Sequence, residues 1–139
     1  MFGKKEVYMF RKGMLLPLVL LPTMVLGEIL PLQLDLEGRK DGERMVYGVD
    51  LATGQIAWER RFGDEVNFVE KVKGGFLVGT DDGFLTLLDP EKGEVIWNLK
   101  LGKKVNTFRG EVAGGFLVSF HGEVVWLVSR KGELIWTLR

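Results

Sequence analysis

The feature that most limits what this chain can fold into is a repeat of 39 residues. The segment Asp50-Leu-Ala-Thr-Gly-Gln-Ile-Ala-Trp58 aligns with Asp89-Pro-Glu-Lys-Gly-Glu-Val-Ile-Trp97 and with Val128-Ser-Arg-Lys-Gly-Glu-Leu-Ile-Trp136. Gly54, Gly93 and Gly132 are therefore 39 apart, and so are Trp58, Trp97 and Trp136. A second match, Gly74-Gly-Phe-Leu-Val78 against Gly114-Gly-Phe-Leu-Val118, is spaced by 40. The extra residue is expected in the turn before it. The loss that restores the period is expected in the turn after it, Thr80-Asp-Asp-Gly83 against Phe120-His-Gly122. Self-similarity at this length marks one supersecondary unit that stacks on copies of itself to bury its apolar surface.

The units read as β-sheets. Val95, Trp97, Leu99 and Leu101 alternate with Glu94, Ile96, Asn98 and Lys100, and Leu134, Trp136 and Leu138 repeat the pattern. A period of two places each set on one face of a strand. Turn signals such as Gly74-Gly75, Asp82-Gly83, Gly102 and Lys131-Gly132 recur every 8 to 12 residues, as they do in chains of short strands. The middle unit has four strands, about 66–72, 76–80, 84–88 and 94–101, and the last has four, about 105–112, 116–120, 123–128 and 133–138. The first offers only three, about 32–36, 45–51 and 55–62, with a polar tip at 37–44. Its opening strand is missing or drawn from residues 25–30. The fold class is thus all-β, with antiparallel four-stranded units repeated in tandem, the arrangement of β-propeller blades. The expected blades are about 32–63, 64–102 and 103–139.

Before these units the chain changes character. Lys4, Lys5, Arg11 and Lys12 stand against a single Glu6 and precede an uncharged run from Met14 to Gly27. Basic then apolar is the order of a secretory signal, with Val25 and Gly27 at the −3 and −1 positions of a cleavage site. An uncleaved anchor over 14–34 is the alternative by length, although Glu28, Pro17, Pro22 and Pro31 interrupt it; a strand of the folded domain is a third. Residues 1–27 are therefore expected to be a signal peptide or membrane anchor, with the repeat domain over 28–139. Either form of leader makes the protein extracytoplasmic, secreted or membrane-anchored.

Composition closes other routes. The 139 residues carry 19 Lys+Arg against 19 Asp+Glu, and no Cys. Disulfides, thiolate metal sites and thiol nucleophiles are excluded. Removing 1–27 leaves 15 basic against 18 acidic residues, a net charge of −3, which disfavours nucleic acid and leaves the N-terminal segment as the only link to a membrane.

The run Asp-x-x-Thr-Gly-x-x-x-Trp at Asp50 to Trp58 resembles the repeat of pyrroloquinoline-quinone-type (PQQ-like) β-propellers, a group akin to WD40/YVTN-like repeats. The match is full in the first unit, has Lys92 for Thr in the second, and has Val128 and Lys131 for Asp and Thr in the third. The resemblance covers about 32–139. It implies that the Gly sits in the turn between the third and fourth strands and that the Trp docks between blades. Relatives of this kind include quinoprotein dehydrogenases and the propeller lipoprotein of the bacterial β-barrel assembly machinery.

Read on their own, the same residues are structural. Gly54, Gly93 and Gly132 suit positive φ in tight turns, Trp58, Trp97 and Trp136 offer apolar area between sheets with an N–H for a backbone carbonyl, and Asp50 and Asp89 open the turns. Trp126 falls outside the period, aligns with Leu87, and is expected to be the most exposed indole. No residue assembles a catalytic, cofactor or metal site. His121 is the only His and lies in a turn, Asp81-Asp82-Gly83 lacks the alternating ligands of a calcium loop, and Ser119 and Ser129 have no triad partners. Lys100, Lys103, Lys104 and Arg109 read as a solvated face. With about three blades, the chain is too short for a quinoprotein enzyme, and two sheet faces are left to cover, since closed propellers have about 4–8 blades. The expectation is a non-catalytic interaction scaffold with a protein partner, or a homodimer completing a six-bladed ring. The alternatives are a small-ligand-binding or sensor domain whose site forms on oligomerisation, and a fragment of a larger propeller protein.

Overall fold

In a computed structural model, which describes residues 27–139, the alternating segments become eleven short strands. β1 (Ile29–Leu32), β2 (Met45–Asp50) and β3 (Ile56–Arg61) form a three-stranded sheet; β4 (Val66–Val72), β5 (Gly75–Thr80), β6 (Phe84–Leu88) and β7 (Val95–Lys100) form a second; β8 (Thr107–Val112), β9 (Gly115–Phe120), β10 (Val124–Ser129) and β11 (Leu134–Leu138) form a third. Strands pair with their chain neighbours in order, as local hairpins dictate. The all-β class and the antiparallel four-stranded repeat therefore hold for two units, and the first has three strands. The expected leader lies on residues 1–26, outside the described residues, apart from Gly27. Among the described residues no helix is long and apolar enough to cross a membrane.

By their contacts, residues 50–55 group apart from a larger unit of residues 29–49 with 56–139. Among the described residues, both cores between sheets lie in the larger unit. Val46, Trp58, Val66, Phe76, Val78 and Leu88 form one core between the first and second sheets. Leu77, Leu85 and Leu87 of the second sheet meet Val105, Phe116, Val118, Val124, Trp126 and Val128 of the third in another. The middle sheet is thus buried on both faces: every residue of β5 is buried, where β10 alternates buried and half-buried. Polar side chains bind each sheet to the next through backbone carbonyls, Gln33 Nε2 donating to Val66 O (2.8 Å) and Asn67 Nδ2 to Val105 O (3.1 Å). These two bonds repeat the 39-residue period on the acceptor side.

Several expectations need correction. The strand expected at 32–36 is β1 at Ile29–Leu32; beyond it Gln33 reaches to Val66, and the backbone at Leu34 lies so close to Gly42 that a Cβ there would meet Leu34 O at 2.9 Å. The chain instead turns into a polar loop closed by Arg39–Glu59 (2.7 Å) and Arg61–Asp41 (2.8 Å). The irregular spacing also has a different origin. Phe76 pairs with Leu88 and Phe116 with Val128, so the hairpins β5–β6 and β9–β10 have turns of equal length. The added residue is a bulge between Phe108 and Gly110 in β8, and the lost one comes from the β10–β11 turn, where Ser129 pairs its N–H with Glu133 O while Asp89 pairs with Glu94 O. Ser129 rather than Val128 therefore stands in the place of Asp50 and Asp89. Trp126 consequently matches Thr86, opposite Thr137 as Thr86 is opposite Asn98, and not Leu87. It points at the second sheet and is 3% exposed, so it is not the most exposed of the four indoles, a place that Trp136 takes at 43%.

Candidate interaction site

The recurring device is an indole laid across a turn of the next sheet. Trp58 extends from β3, opposite Gly48, whose missing side chain leaves the space that the indole fills. It crosses to the β6–β7 turn, which Asp89 shapes by accepting the Lys92 N–H on Oδ2 (2.9 Å) and the Gly93 N–H on its carbonyl (2.8 Å). A short polar side chain that bonds its own backbone in this way stabilises a turn without any outside partner. Gly93, at φ 69°, is then the floor of the seat: a Cβ there would overlap Trp58 Cε3 and Cδ2. The indole N–H donates to Pro90 O (2.8 Å), Arg60 Nε donates to Gly93 O (2.7 Å), and the ring leans on Phe76 at 6.1 Å. Trp58 is 9% exposed.

The next step is built alike. Trp97 of β7 lies over Gly132 (φ 84°), donates its N–H to Arg130 O (2.9 Å) and leans on Phe116 at 6.4 Å. Ser129 Oγ holds this shorter turn by accepting the N–H groups of Lys131 (3.2 Å) and Glu133 (3.1 Å). The junction is further tied by Glu111, which accepts the Lys73 N–H from the second sheet and pairs with Arg130 at 2.8 Å. The Arg130 hydrogen bond, and then the Lys73 N–H, hold the Glu111 carboxyl below its ordinary range.

Each series has one member left over. Trp136 occupies in β11 the place of Trp97 in β7, opposite Leu127 as Trp97 is opposite Leu87, yet it is 43% exposed. By the same registers, Leu117, Val125, Leu127, Trp136 and Leu138 share the outward face of the third sheet. They correspond one for one to Leu77, Leu85, Leu87, Trp97 and Leu99, by which the second sheet holds the third. At the other end, the 50–55 turn shares two backbone bonds with the 89–94 turn, Asp50 N–H to Gln55 O (2.9 Å) and Gly54 N–H to Asp50 O (2.7 Å), while its Asp side chain reaches one residue less far, Asp50 Oδ1 accepting the Ala52 N–H (2.8 Å) where Asp89 Oδ2 accepts that of Lys92. Gly54 has φ 74°, and among the described residues nothing lies within 4 Å of the position its Cβ would take. Gly93 is buried, Gly132 half-buried and Gly54 exposed, in step with whether an indole covers them.

The residues weighed for chemistry are engaged in the fold. His121 is an exposed turn residue at φ 50° whose N–H donates to Asn106 Oδ1 (2.9 Å). Arg109 donates to Ser119 Oγ and His121 O, and Lys104 pairs with Asp81. Among the described residues no group of three or more His, Asp or Glu is placed to hold a metal. One depression of about 340 Å³ is lined by Gly38, Arg39, Lys40, Met45, Tyr47 and Glu59. The Glu59 carboxylate, through its hydrogen bond, raises the pKa of Arg39 there. Tyr47 is fully buried beneath Arg39, and among the described residues its hydroxyl has no hydrogen-bond partner. Sequence reasoning missed this tyrosine because nothing in the repeat singles it out.

A family model described as outer membrane protein assembly factor BamB matches residues 39–139. No curated protein matches the chain in sequence. Among solved structures, BamB from Moraxella catarrhalis superposes with a TM-score of 0.61 at 20% identity, over 80% of this chain and 38% of that one. The WD40 β-propeller domain of Doa1 superposes with a TM-score of 0.58 at 17% identity, over 68% of this chain and 33% of that one. At such identities the likeness is one of fold, a β-propeller, and this chain spans 38% of the first of these chains and 33% of the second.

Proposed function

The chain belongs to the family of outer membrane protein assembly factor BamB, and from that premise we propose that it is a non-catalytic, extracytoplasmic protein-interaction scaffold. The observation that carries this reading is the outward face of the third sheet. Leu117, Val125, Leu127, Trp136 and Leu138 reproduce the set that grips a neighbouring sheet inside the molecule, and there Leu138 is 60% exposed. An apolar surface of this extent on a soluble domain marks a site for another polypeptide. The Trp brings what strong interface anchors share, a large rigid area with one directional N–H. Exposure alone does not define the site, since Ile96 and Ile135 are both about half exposed at matching positions on the other side of their strands. Trp136 and Leu138 are the residues whose counterparts are covered.

The basic and apolar order of the N-terminal segment supports an extracytoplasmic setting, and the family's description supports work at an outer membrane. A photo-cross-linking amino acid at Leu138, introduced into the full chain in its native host, tests the proposal together with fractionation of the cells. The expected outcome is a single discrete adduct in the envelope fraction, absent when the same group is placed at the solvent-facing Glu91. A chain confined to the cytosol, or one that yields no adduct from position 138, would overturn it.

A further inference from the structure

Resting on the reading of the third-sheet face as a protein-binding surface, we infer that its occupant is a second copy of this chain, docked head to tail with Trp136 of each copy on the Asp50–Gln55 turn of the other. The chain already shows what this surface recognises. Twice within the molecule an indole from a fourth-strand position lies across a turn opened by Asp or Ser and floored by a positive-φ Gly, and donates its N–H to a carbonyl of that turn. The sequence carries three such indoles and three such turns, and the two internal junctions use two of each.

What remains is one complementary pair, at opposite ends of the series. The 50–55 turn matches the turn that seats Trp58 in its two backbone hydrogen bonds and in the conformation of its Gly, φ 74° against φ 69°. It also has the same length as that turn, whereas the Ser129 turn, one residue shorter, still seats Trp97. A seat that tolerates this variation accepts Trp136 without rearrangement. Two chains paired in this way satisfy both elements at once. A closed pair related by a two-fold axis would contain two identical Trp136-to-turn contacts, each heterologous in composition. Six sheets fall within the roughly 4–8 blades of closed propellers.

The test uses the full 139-residue chain and its absolute mass from light scattering during size exclusion. The expected species is twice the chain mass of 15.7 kDa. Trp136→Ala and Gly54→Ala should each weaken the dimer by at least about 30-fold, the loss typical of a hot-spot residue. Ile135→Ala, on the opposite side of β11, should leave it intact. Because the contact joins two different surfaces, mixing the Trp136→Ala and Gly54→Ala chains should restore a dimer held by one intact junction, Trp136 of the second on Gly54 of the first. The wild-type chain running as a monomer to high micromolar concentration would overturn the inference. So would a dimer indifferent to both substitutions, a dimer lost with Trp136→Ala and kept with Gly54→Ala, which would point to a symmetric Trp136–Trp136 contact, or a mixture that stays monomeric, because the two intact halves of one junction would then have failed to pair. Circular dichroism checks that each variant is folded, and Gly54→Ala carries the test if Trp136→Ala is not. A monomer that still gives the envelope adduct from position 138 would remove the second copy as occupant and leave the scaffold reading standing.

Discussion

Replacing Gly93 by Ala separates the two reasons for a glycine at the seat of an indole. The first is conformational: at φ 69° an L side chain costs about 1–2 kcal/mol. The second is steric, because the new Cβ would overlap the Trp58 ring, and overpacking of a filled site costs typically about 1–3 kcal/mol. Gly54 supplies the control. It has nearly the same φ, 74°, and no described atom within 4 Å of the added Cβ, so Gly54→Ala incurs the conformational cost alone. Both are best measured in a Trp136→Ala background, where no second copy contributes. The difference between the two variants should then be about 1–3 kcal/mol. With a urea m value near 2 kcal/mol/M, a gap of about 2 kcal/mol moves the midpoint by roughly 1 M, well outside error. Equal midpoints would refute the idea that Trp58 rests on Gly93 and reduce the repeated Gly to a requirement of turn geometry.

Other substitutions probe neighbouring parts of the account. Trp58→Phe keeps most of the apolar area and removes the bond to Pro90 O, so it should cost about 1 kcal/mol by denaturant titration, against about 3–5 kcal/mol for Trp58→Ala. Tyr47→Phe removes a buried hydroxyl that has no partner among the described residues and should leave thermal stability unchanged or raise it by up to about 1 kcal/mol. Glu111 titrates below its ordinary range in the folded chain, chiefly through Arg130, so its contribution is present above the unfolded pKa and is lost as pH falls through the depressed folded value. Wild type should accordingly exceed Glu111→Gln in stability at neutral pH, with the gap closing in acid; a gap independent of pH would contradict this.

The parts of the fold that were legible in the sequence are those fixed by local chemistry. β4 and β6 match the expected ranges residue for residue, because alternation bounded by Gly pairs and Asp-Gly leaves a strand little choice of ends or register. Less legible were features in which one residue is traded elsewhere. The bulge at Arg109 and the shortened Ser129 turn cancel in the count, so the 39-residue spacing of Gly93 and Gly132 conceals both, and Trp126 was assigned to the wrong face by a one-residue slip. That slip reverses inside and outside in a strand, which is why the indole expected to be the most exposed of the four proved to be core. The three repeated Trp residues look identical in sequence. Only the stacking order distinguishes them, leaving Trp136 bare while Trp58 and Trp97 are seated. Asp50 and Asp89 carry turn bonds in the structure, and Ser129 takes the same part with a different side chain that a search for Asp passes over.

Indoles of the repeat join each sheet to the turn of the next, and among the described residues Trp136 alone of the three lacks such a seat. Hydrogen exchange of the indole N–H groups, followed by NMR in the full chain at a concentration low enough to keep it monomeric, tests this most directly. Trp58 and Trp97, bonded to Pro90 O and Arg130 O, should be strongly protected, and Trp136 should exchange close to the rate of a free indole. Equal rates for Trp58, Trp97 and Trp136, whether fast or slow, would contradict the account.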